Sequence, residues 1–177
     1  MFCIAVQLMA TKGSAFLYAR PEKQALVEPL IVSWGWQSDT PGPSRFVDEQ
    51  EWTGTRDPAA YLATPAAIEF QRQNRWDEVR AACHALAVET QGRLTALTGL
   101  PPLSSPDWFA QMFAVPLPPC DLDALKRRLY EEFGVEVPLV RWNGRQLLRV
   151  SVQGYNTRRD MDRLVTALDR LLPEVRS

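Results

Sequence analysis

Hydrophobic residues along the chain change rhythm twice. Near the start they come in solid runs. Residues 15–19 (AFLYA) follow a glycine turn at Gly13 and stop at Pro21, and their aromatic, apolar character predicts a buried strand. A second apolar run over 30–36 ends in Ser33-Trp34-Gly35-Trp36, and from Gln37 to Ser44 nothing is periodic. That stretch of Ser, Asp, Thr, Pro and Gly predicts a surface or interface loop.

The pattern then becomes helical. Asp57-Pro58 is a strong helix start, because the carboxylate accepts orphan amide hydrogens and proline at the first position gives up no needed donor. Pro65 should interrupt that helix. A longer helix is predicted from near Asn74, with Asp77 and Glu78 in its first turn and Val79, Cys83, Leu86, Leu94 and Leu97 on one side, closed by Gly99 and Pro101-Pro102.

Beyond 106 strands and helices mix. The spacing predicts a strand over 112–115, a helix over 121–133, strands over 135–142 and 146–152, and a helix over 157–172. Asp121 caps a stripe of Leu122, Leu125, Leu129 and Phe133 that Gly134 closes. Asn143-Gly144 between two apolar runs is a two-residue hairpin signal. The order βαββα implies a small sheet with helices on one face, an α+β unit. The Pro-rich stretch 100–106 is the expected boundary between segments 1–99 and 107–177.

Composition narrows the classes. The 177 residues are 46% hydrophobic and 23% charged, ordinary for a globular chain. Lys plus Arg total 20 against Asp plus Glu 21, which provides no summed field for nucleic acid or an anionic membrane. Cys3, Cys83 and Cys120 are scattered and form no CxxC pair, so neither a disulfide framework nor a zinc site is expected, and a reducing cytoplasm fits. Residues 1–10 lack the basic start of a signal peptide, and no run is long enough to span a bilayer. The lone histidine, His84, is expected to be structural or exposed, with no metal site and no Ser-His-Asp set.

Three ordered blocks resemble the class V aminotransferase family, in particular its isopenicillin N epimerase-like branch. They are the segment 10–18 (ATKGSAFLY), the segment 52–61 (WTGTRDPAAY) together with 32–36 (VSWGW), and Leu148-Arg149-Val150-Ser151 with Tyr155-Asn156-Thr157 and Asp160. The resemblance implies the C-terminal portion of a fold type I enzyme dependent on pyridoxal 5'-phosphate (PLP): the tail of the large domain with its long linking helix over 1–99, then the small α+β domain over 107–177. It implies chemistry at the α-carbon of an amino acid, a homodimer or association with an N-terminal half, and a cytoplasmic setting. The Schiff-base lysine of the family falls a few residues before Lys12-Gly13-Ser14, where this chain has Val6 in Ala5-Val6-Gln7. No catalytic residue is therefore assigned, and the chain is expected to be inactive alone. The rival expectation is a non-catalytic partner subunit or assembly module that lends its residues to another chain.

Two positions inherit binding roles from the resemblance. Gly54-Thr55 would reach the PLP phosphate, where glycine lets the backbone approach and the hydroxyl donates. Residue patterning alone favours an ordinary loop before the Asp57 cap. Arg149 would bind the substrate's α-carboxylate as a bidentate fork. Its strand reads as buried, which is costly for an unpartnered guanidinium, so a salt bridge to an internal acid is the competing expectation. Arg56 reads equally as a phosphate aid or a solvated side chain. Trp34 and Trp36 read as core or interface packing at a strand end. Tyr155-Asn156-Thr157 reads as a turn and N-cap with Asp160 completing a capping box, and the pairs Arg127-Arg128 and Arg158-Arg159 as solvated faces.

Overall fold

A computed structural model describes the backbone of Phe2–Cys3 and residues 9–175. The chain divides into two compact units, Met1–Asn74 and Arg75–Ser177.

In the first unit, β1 (Phe2–Cys3) pairs antiparallel with β2 (Ala15–Phe16), Phe2 opposite Phe16 and Cys3 opposite Ala15. The strand expected over 15–19 is thus two residues long, and it is not buried: Phe16, Leu17 and Tyr18 are exposed. Helix α1 (Pro21–Gln24) follows, and then the apolar run 30–36 lies open as turns, with Leu30 101% and Trp34 88% exposed. The tryptophan pair brackets a tight turn, in which Trp36 N donates to Ser33 O at 3.0 Å, and not a strand end. Gly35 presses on α2 (Arg45–Glu51) so closely that a Cβ would lie 1.7 Å from Asp48 O. Asp48 also ties down the loop, accepting from Gly42 N at 2.8 Å. The helix expected to open with Pro58 at its first position starts one residue later, with Pro58 itself as the N-cap and no side-chain cap. Asp57 Oδ1 accepts from Ala59 N at 2.9 Å ahead of α3 (Ala59–Leu62), and the helix breaks before α4 (Thr64–Gln73), which carries Pro65 in its first turn.

The second unit opens with α5 (Trp76–Thr98), entered through a left-handed Arg75 and closed by a left-handed Gly99 at φ 68°. A 3-10 turn (Pro106–Trp108) leads into β3 (Met112–Leu117), then α6 (Leu122–Phe133), β4 (Leu139–Trp142), β5 (Arg145–Ser151) and α7 (Arg158–Glu174). This is the expected βαββα order. The sheet is antiparallel in the order β3-β5-β4. Two expected strands change length. The first runs on through Pro116 and Leu117, which an edge strand tolerates because its outer side needs no proline N–H. The strand expected over 135–142 pairs only from Leu139, after Pro138.

Local chemistry sets the ends of these elements. Asp121 Oδ1 accepts from Asp123 N and Ala124 N, both at 3.0 Å, and left-handed Gly134 stops α6. Asn143 and Gly144 both take positive φ, 47° and 71°, the requirement of the twist-matched hairpin turn. The Asp160 carboxylate accepts from Thr157 N at 2.8 Å, completing the capping box of α7.

The core lies on one sheet face, where Phe113, Val115, Leu148 and Val150 meet Cys83, Ala87 and Leu94 of α5, Leu125 and Leu129 of α6, and Leu164, Leu168 and Leu171 of α7. Helix α5 therefore packs within the same compact unit as the sheet. Two arginine pairs read as solvated faces are in fact half engaged. Arg158 holds Glu89 of α5 at 2.6 Å, while Arg128 joins Glu132 and, at 2.7 Å, Glu174 of α7. Glu89 and Glu174 lie far away in sequence, beyond the reach of local pattern, whereas Glu132 is one helical turn from Arg128. No helix among the described residues is long and apolar enough to cross a membrane.

Candidate functional site

Gly54 and Thr55 occupy the loop between α2 and α3 in the first unit. Gly54 takes φ 114°, a conformation that side chains rarely adopt, and nothing lies within 4 Å of where its Cβ would be. The backbone is bare on that side. Thr55 is exposed, and its hydroxyl has no hydrogen-bond partner among the described residues. Arg56 beside it is a strut: Nη1 donates to Thr53 Oγ1 at 2.7 Å, Nη2 to Glu51 O at 2.6 Å, and the guanidinium stacks 5.1 Å from the Tyr61 ring centre. Thr53 and Tyr61, not singled out from the sequence, hold this turn in shape. Its donor set is neutral hydroxyl and amide plus a braced cation, chemistry that suits a phosphate oxygen.

Arg149 sits in the middle strand of the sheet in the second unit. Leu148 and Val150 on either side point into the core, so strand alternation sends Arg149 to the opposite face. It is exposed, which corrects the reading of its strand as buried on both faces, and it has no ion pair among the described residues, so the internal salt bridge is also absent there. Arg149 N donates to Pro138 O at 3.0 Å, and Ala114 stands directly across the ladder. Met112 and Val140 lie diagonally across from it on this face and are exposed, while Leu147 and Pro116, farther along the same face, are buried. An exposed guanidinium of this kind has the planar donor fork that matches a carboxylate.

The remaining candidates resolve into structure. His84 Nδ1 lies 2.7 Å from Ala110 O, so that nitrogen carries the proton, and the ring stacks 5.6 Å from Phe109. Asn156 Oδ1 accepts from Gln153 N at 2.9 Å, making the turn before α7. Burial pushes the thiols of Cys83 and Cys120 above the ordinary cysteine value. Among the described residues no cluster of His, Cys, Asp or Glu is placed to hold a metal. Val6 lies outside the described residues.

No family model matches the sequence. The chain is 35% identical over 176 residues to isopenicillin N epimerase of Amycolatopsis lactamdurans, a match covering 93% of this chain and 44% of that protein. Over this portion the chain is homologous to the isopenicillin N epimerase-like branch of the class V aminotransferase family. It matches the C-terminal portion of these proteins and spans less than half the length of the curated relatives. The fold agrees: the cysteine desulfurase CsdA from Escherichia coli superimposes with a TM-score of 0.71 at 20% identity, over 95% of this chain and 44% of that one. A variant of C-DES with glycine covalently linked to its PLP cofactor superimposes with a TM-score of 0.59 at 16% identity, over 86% and 40%. The architecture is that of the fold type I PLP enzymes, ending in a small α+β unit, and the family's cofactor is PLP.

Proposed function

We propose that this chain supplies the C-terminal binding residues of a PLP-dependent enzyme acting at the α-carbon of an amino acid, with epimerase-like relatives, and that it does not turn over substrate alone. The observation that carries the reading is Arg149, an exposed guanidinium without an ion pair among the described residues, held in register on the middle strand of the sheet and on the face away from the helices. In this reading Arg149 orients the amino acid through its α-carboxylate. Gly54 and Thr55 donate to the PLP phosphate, and their bare, unpartnered groups fit that task. PLP supplies the electron sink that loosens bonds at the α-carbon. Segment 1–99 is the tail of the large domain and 107–177 the small domain.

Inactivity alone follows from chemistry at position 6. Valine offers no amine where the family's Schiff-base lysine aligns, and the three lysines present, Lys12, Lys23 and Lys126, fall elsewhere. The exposed Leu30, Val32 and Trp34 support association, either as a homodimer or with an N-terminal half that brings the amine, in the cytoplasm. A second reading, a non-catalytic partner that lends Thr55 and Arg149 to another chain's site, rests on the same exposed surface.

The test is borohydride reduction of the purified chain with PLP, followed by peptide mass mapping. The expected result is no adduct at any single lysine, and retention of PLP once a polypeptide matching the N-terminal half of the relatives is added. A specific adduct at Lys12, Lys23 or Lys126 with amino-acid turnover would overturn the reading. Retention lost in Thr55→Ala only when the second polypeptide is itself inactive would favour the non-catalytic partner.

A further inference from the structure

No further inference is drawn: the strongest candidate, the sheet face on which the register places Arg145 across from Trp142 and on the same side as Arg149, belongs to the site already described, and nothing in the structure shows what would lie across it.

Discussion

Arg149 and Ala114 face each other across the β3–β5 ladder, so the central guanidinium of the sheet stands opposite a methyl group. The small partner leaves the arginine unobstructed, and the covering helices lie on the other face. The side chain is thus exposed, without an ion pair among the described residues.

Replacing it should reflect that exposure. Arg149→Gln is expected to change the unfolding free energy by less than about 0.5 kcal/mol, as surface substitutions do. Urea denaturation followed by circular dichroism measures this. A loss above about 2 kcal/mol would reveal an internal partner for the charge.

Two glycines should respond oppositely to alanine. Gly35→Ala pushes a methyl group into the Asp48 carbonyl, where 1.7 Å is available, and should destabilise the first unit by about 1–3 kcal/mol. Gly92→Ala lies in helix α5 with nothing within 4 Å of the new atom, and should stabilise by about 0.4–1 kcal/mol. Tryptophan fluorescence during denaturation reports the first and far-ultraviolet melting the second.

Acid should loosen α7 from its start. Hydrogen bonds from Thr157 N and then Thr157 Oγ1 hold the Asp160 carboxyl below the ordinary aspartate value. A lowered folded value means that the stability is fully present above the ordinary range and is lost as pH falls through the folded value. Melts recorded from neutral pH downward should therefore show wild type losing stability below about pH 4, with a smaller acid-dependent change in Asp160→Asn. Parallel curves for the two proteins would contradict this.

The buried thiols should be inert. Burial raises Cys83, against a weaker opposing hydrogen bond with Gln111. Burial and then the Asp121 charge raise Cys120, partly offset by Arg141. Both should resist an aromatic disulfide reagent at pH 8 in the native chain. Gln146→Ala removes the partner of both Cys120 backbone groups, and should cost about 1–3 kcal/mol and speed labelling at Cys120, as read by peptide mass mapping.

Features that depend on neighbours in sequence were legible before any coordinates: the Asp121 and Thr157 caps, the Gly99 and Gly134 stops, the break at Pro65 and the Asn143-Gly144 hairpin. In each, the group that satisfies a backbone amide or permits a positive φ lies within a few residues, so the chain's own order specifies the geometry. The family resemblance was legible in the same way, as ordered blocks. Burial was not. Residues 15–19 are apolar enough for a core strand, yet Phe16 and Tyr18 are exposed, because an apolar run is buried only where another layer meets it. The same reason decided Arg149: alternation assigns it to one face, and only the placement of α5, α6 and α7 determines that this is the face away from the helices. Pairings such as Arg158 with Glu89 and Arg128 with Glu174 join residues far apart in the chain and arise from packing alone.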